Sequence, residues 1–149
     1  MTANFTEGVL VGYRWYDARN QEPLFPFGHG LSYTTFQYSD LKVEQTAGTP
    51  ATLRVRVTNT GKREGTEVVQ AYLGFPAAAE DPPKQLKGFE KIGLKPGESK
   101  VVTISFDRNA LGAWDTETHQ WKVYPGTYQV LVGSSSRNIR VKGSFTVAP

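Results

Sequence analysis

From residue 51 to residue 58, hydrophobic and polar positions alternate one for one. Leu53, Val55 and Val57 fall on one side, and Arg54, Arg56 and Thr58 on the other. This period of two predicts a half-buried β-strand. The same alternation places Val102, Ile104 and Phe106 on one face of a strand over 100–106. Residues 67–75 (EVVQAYLGF) form a continuous run of strand formers, and shorter strands are predicted over 86–92, 121–124 and 127–133. A closing strand over 139–147 is expected to be interrupted at Gly143. Turns are marked by Asn59-Thr60-Gly61-Lys62, Lys95-Pro96-Gly97-Glu98 and Pro125-Gly126, and Pro82-Pro83 excludes regular structure from the loop over 76–84. No helical period lasts longer than a turn, and the one helical turn expected lies within 107–114.

About seven short strands with closely spaced turns predict an all-β chain. The expected architecture is an antiparallel β-sandwich of the immunoglobulin or fibronectin type III kind. Tyr128, just after Pro125-Gly126 and at the head of a strand, fits the tyrosine corner of such sandwiches. Residues 1–35 break the pattern. Nine of the 18 aromatic residues lie within the first 38 positions, among them Tyr13, Trp15, Tyr16, Phe25 and Phe27. Segments 9–16 and 23–27 flank a polar stretch at 17–21, which predicts a hairpin or paired extended segments. Each large ring left in water forfeits about 1.5–3 kcal/mol of burial. The segment is therefore expected to lie along the sandwich or to belong with a neighbouring domain, and to be mobile or oligomer-prone where that cover is missing.

With 149 residues and 38% hydrophobic content, a real core is within reach. The absence of cysteine removes disulfides, thiolate nucleophiles and Cys-ligated metal sites. His29 and His119 lie far apart, no ligand-spaced cluster surrounds them, and no cofactor or metal is expected. The net charge of +3 is small and scattered, with neither a basic stripe nor a nucleic-acid-binding module. No stretch approaches the roughly 18–20 apolar residues of a membrane span, and Met1–Gly8 lacks the basic and apolar regions of a signal peptide. Asn4-Phe5-Thr6 is a formal glycosylation sequon.

Candidate chemistry is sparse. Asp107 reads as the cap of the turn Arg108–Leu111, and Asp115 and Glu117 as loop residues rather than an acid/base pair. Trp114, Trp121 and Tyr124 are candidates for stacking against a sugar ring, with core or rim packing as the alternative. His29, in the glycine-flanked loop 27–31, is a candidate for substrate contact or for linker packing.

Residues 4–17 (NFTEGVLVGYRWYD) and 22–34 (EPLFPFGHGLSYT) resemble the closing segment of the second catalytic domain of glycoside hydrolase family 3. Residues 57–73 (VTNTGKREGTEVVQAYL), 82–99 (PPKQLKGFEKIGLKPGES) and 125–139 (PGTYQVLVGSSSRNI) resemble that family's C-terminal fibronectin type III-like domain, with β-glucosidases nearest and β-xylosidases next. The resemblance implies residues 1–35 as the tail of the preceding α/β sandwich domain and linker, and 36–149 as the fibronectin type III-like domain. It implies retaining chemistry by two carboxylates in other parts of such an enzyme. No residue of this chain matches either carboxylate motif, so none is carried over as catalytic. The implied role is a structural brace for the catalytic domains of a parent β-glucosidase, secreted or periplasmic, which also contacts polymeric substrate. Tyr13, Trp15, Tyr16, Phe25 and Phe27 would form the domain interface. The alternatives are a stand-alone carbohydrate- or lignin-binding module, or one part of a split β-glucosidase or β-xylosidase.

Overall fold

The structure is a computed structural model that describes residues 6–46 and 49–149; Asn4 and Phe5 of the sequon lie outside them. Seven strands make two packed antiparallel sheets. In the first, β1 (Phe36–Thr46), β2 (Thr49–Asn59) and β5 (Ser99–Phe106) lie in the order β1-β2-β5. The second contains β3 (Gly65–Gly74), β4 (Gln85–Leu94), β8 (Gly126–Gly133) and β9 (Ile139–Val147), in the order β4-β3-β8-β9. A separate hairpin, β6 (Gly112–Asp115) with β7 (Gln120–Val123), crosses one end of the sandwich.

The alternating patterns build the core as expected. Leu53, Val55 and Val57 of β2 are fully buried against Val69, Ala71 and Leu73 of β3 and Val130 and Val132 of β8, while Arg54 and Arg56 face water. The tyrosine corner is present. Tyr128 is fully buried, its hydroxyl donates to the Tyr124 carbonyl at 2.9 Å and reaches the Leu111 carbonyl at 3.3 Å, and its ring stacks on Phe145. Burial pushes its hydroxyl pKa upward. Buried Asn59 closes the turn after β2. Its amide donates to the Arg63 and Leu94 carbonyls, and its carbonyl accepts from the Thr34 hydroxyl and the Gly61 amide.

Three local expectations change. The segment before Phe36 is not a hairpin: Tyr13–Ala18 form a short helix, α1. The polar stretch at 17–21 ends that helix. Asn20 takes the left-handed conformation (φ 51°), its amide donates to the Asp17 carbonyl, and the Gln21 amide donates to the Tyr16 carbonyl. This pair of bonds is the Schellman arrangement, in which Asn tolerates the left-handed site. β9 runs through Gly143 without a break, because Gly143 pairs with Val130 and a β-carbon there would press on Val43 and Leu41 across the sandwich. The turn at 108–111 is not helical, although Asp107 does cap it, accepting the Ala110 amide at 2.7 Å.

In urea denaturation, Tyr128→Phe is expected to cost about 1–2 kcal/mol, since the one hydroxyl proton shared between the Tyr124 and Leu111 carbonyls is lost. Leu53→Ala is expected to cost about 2–5 kcal/mol through the cavity it leaves. A Tyr128→Phe protein as stable as the parent would show that the corner does not hold β8 to the turn before it.

Candidate functional site

Only one face of a strand in a two-layer sandwich meets the core, yet β3 is buried on both faces from Val69 to Gly74. The outer face is covered by residues 13–28. Tyr13 stacks on Phe27 at 4.7 Å and meets Tyr72 edge-on at 6.0 Å, and its hydroxyl accepts the Leu86 amide at 2.8 Å. Gln70 donates to the Gly28 carbonyl and accepts from the Tyr72 hydroxyl. Gly28 has φ 79°, and a β-carbon at that position would collide with the Gln70 amide, so no side chain fits between loop and sheet.

The strap is fixed by charge. The Asp17 side chain is only 4% exposed and lies between Lys84 Nζ at 2.5 Å and Arg137 Nε at 2.9 Å, the latter an ion pair rather than a straight hydrogen bond. The Arg137 guanidinium also donates to the Tyr16 and Gln21 carbonyls at 3.1 and 2.7 Å, supplying a cation to the C-terminus of α1. The Ser136 amide donates to the Phe27 carbonyl. Nothing in the local sequence around Asp17, Lys84 or Arg137 signals this triad, because its members come from three separate elements.

With its inner side docked, the strap presents an apolar outer flank. Leu31 and Tyr33 are 95% and 93% exposed, and Leu24, Phe25, Val9 and Val11 are also open to solvent. Of the sequence-selected aromatics, Tyr13 faces the sheet, Phe27 is partly covered by Tyr13, and Phe25 points outward beside His29, with ring centroids 5.6 Å apart. Trp15 and Tyr16 form an edge-to-face pair that, with Leu10 and Val11, lines a shallow depression of about 390 Å³.

A larger cleft of about 660 Å³ opens between α1, a single 3-10 turn at Ala77–Ala79 and the β6–β7 hairpin. Trp114 and Trp121 sit directly opposite in the hairpin and pack edge-to-face at 5.6 Å, yet remain 48% and 69% exposed. Tyr124 lies beside them, with Lys122 Nζ 4.9 Å from its ring. Four carboxylates and three cations line this cleft: Glu80, Asp81, Asp115 and Glu117 against Arg14, Lys87 and Lys122.

Two of the acids are held in opposite directions. Burial pushes the Asp81 carboxyl up despite the pull of Lys87 and Arg14, and Asp81 Oδ2 has no hydrogen-bond partner. The same burial pushes the Lys87 ammonium down. Asp115 is held low because its Oδ1 accepts the Thr118 and Glu117 amides, with Lys122 3.7 Å from Oδ2. Asp115 is thus committed to closing the hairpin turn, which sequence reasoning had treated as loop decoration. The cleft has the groups to hold a polar ligand.

The Fn3-like family, described as fibronectin type III-like domain, matches residues 67–136. Among curated proteins, the chain is 44% identical to probable β-glucosidase D of Aspergillus niger over 97% of its own length and 22% of that protein. It is 45% identical to thermostable β-glucosidase B of Acetivibrio thermocellus over 96% of its length and 20% of that protein. Among solved structures, β-glucosidase D2-BGL from Chaetomella raphigera superposes with a TM-score of 0.91 at 44% identity, over 96% of this chain and 23% of that one. β-Glucosidase 3B from Thermotoga neapolitana, solved with α-D-glucose, gives 0.91 at 43% identity over 97% and 20%. The chain spans about a fifth of the length of these proteins.

Asp17→Ala strands two cations against the sheet. It is expected to cost the docked strap about 2–3 kcal/mol, read as loss of amide-exchange protection over 13–21 while β3 and β8 keep theirs. Unchanged protection in α1 would show that the rings alone hold the strap. In the cleft, folded Asp81 binds its proton more tightly than the unfolded chain does, so its ionisation works against the fold as pH rises. The stability of Asp81→Asn relative to the parent is therefore expected to improve from about pH 3 to about pH 7 in paired denaturation curves. A difference that is flat or falls with pH would contradict the buried carboxyl.

Proposed function

Because this chain belongs with the C-terminal, fibronectin type III-like region of glycoside hydrolase family 3 β-glucosidases, we propose that it is the non-catalytic brace of such an enzyme. In this reading the hydrolysis of terminal β-glucosides is carried out by the larger remainder of the protein. The observation that carries it is the exposed apolar flank at Leu24, Phe25, Leu31 and Tyr33, mounted on a strap whose other side is pinned by Asp17. Exposed apolar surface of this kind, on a rigid base, marks a protein interface. Its partner is the catalytic portion of the same enzyme, at the cell exterior or in the periplasm.

Contact with polysaccharide or lignin is the finer part of the proposal, and the exposed Trp114–Trp121 pair is the surface that supports it. The same pair favours the alternative of a binding module that acts alone.

Incubated with a chromogenic aryl β-glucoside, the 149-residue chain is expected to show no turnover above background. Added in trans to a family 3 β-glucosidase cut before this region, it is expected to raise activity by about tenfold or more. Leu31→Asp combined with Tyr33→Asp should abolish the gain, since central apolar contacts dominate such interfaces. Turnover by the chain alone, or rescue indifferent to the two substitutions, would overturn the brace.

A further inference from the structure

The Trp114–Trp121 pair does more than tie the hairpin together. A cross-strand aromatic pair gains about 0.5–1.5 kcal/mol from its own packing. An edge-to-face arrangement leaves much of each indole open, and these two rings open onto the cleft. The cleft is not a greasy groove. Its carboxylates and cations nearly balance, which disfavours both a strongly acidic and a strongly basic ligand. Asp81 lines the cleft with one carboxylate oxygen buried and without a hydrogen-bond partner, and the soft terminal torsion of an aspartate allows the carboxylate to turn toward a hydroxyl. Lys87 and Arg14 supply donors on the same side. A volume of about 660 Å³ falls within the range of small-ligand sites, about 300–1,000 Å³.

Neutral ligands with a flat apolar face and a rim of hydroxyls meet all of these conditions together. In β-linked glucose units the hydroxyls are equatorial, so axial C–H groups form the faces that lie on an indole. We infer that the cleft bounded by α1, the 3-10 turn and the β6–β7 hairpin is a binding subsite for a neutral β-linked gluco-oligosaccharide. Trp121 and Trp114 form its platform, and Asp81 is its hydroxyl acceptor. The inference rests on the polysaccharide-contact reading above but is independent of the bracing role.

The test titrates cellotetraose into the full chain carrying Trp15→Phe. This substitution lies outside the cleft and leaves the pair as the only indole reporters. Saturable fluorescence change with Kd at or below about 10 mM is expected, with maltotetraose, the α-linked counterpart, at least about tenfold weaker. Trp121→Ala should abolish binding, Trp121→Tyr should retain it within about threefold, and Asp81→Asn should weaken it about tenfold. Where Trp121→Ala unravels the hairpin, seen as collapsed amide dispersion over 112–123, Trp121→Tyr and Asp81→Asn carry the decision. Absence of saturation, equal binding of maltotetraose, or parental affinity in Asp81→Asn overturns the subsite. Retention on insoluble lignin or cellulose without any cellotetraose binding also overturns it, while leaving the polymer-contact reading intact.

Discussion

A single buried carboxylate organises the outer layer of this molecule. Asp17, held between Lys84 and Arg137, ties a helix of six residues to the edge of a sandwich it would otherwise only brush. A helix this short has little stability of its own, because nucleation fixes several residues for very few hydrogen bonds. Arg137 changes that by meeting the carboxylate, the Tyr16 carbonyl in the last turn and the Gln21 carbonyl just beyond the helix at once. The planar fork of a guanidinium suits that task in a way a lysine ammonium does not. Once α1 is fixed, the Tyr13 and Phe27 rings fall over Tyr72, and the remaining apolar side chains have nowhere to go but outward.

The two flanks of the molecule thus carry different kinds of surface. The strap's outer side is aliphatic and aromatic, with little to hydrogen-bond, and suits another protein surface. The hairpin cleft mixes indoles with opposed charges and suits a polyhydroxylated ligand. Both depend on α1, which carries the clasp on Asp17 and lines the cleft through Arg14.

The sandwich was legible because burial on one face of a strand writes itself into every second residue. Leu53, Val55 and Val57 could hardly be read otherwise, and Tyr128 announced its corner through the Pro-Gly turn before it. The helix at 13–18 left no such trace, being too short to complete two turns of a repeat, and its end at Asn20 looked like any polar turn. The clasp was hidden for a different reason: Asp17, Lys84 and Arg137 meet only after β3, β4 and β8 are in place. The exposure of Trp114 and Trp121 was likewise unreadable, since a cross-strand tryptophan pair has the same spelling inside a core or on a rim.

The double coverage of β3 bears on where this molecule can be divided. Seen as strands alone, the sandwich starts at Phe36, and an excised fragment from that point would keep every ladder. It would also uncover Tyr72 and Gln70 on the side where Tyr13 and Gly28 meet them. An aromatic ring and an amide would then face water on a flat sheet, next to the open edge strand β4. The smallest piece fit to be moved onto another protein as a self-contained cassette therefore begins ahead of the helix, not at the first strand.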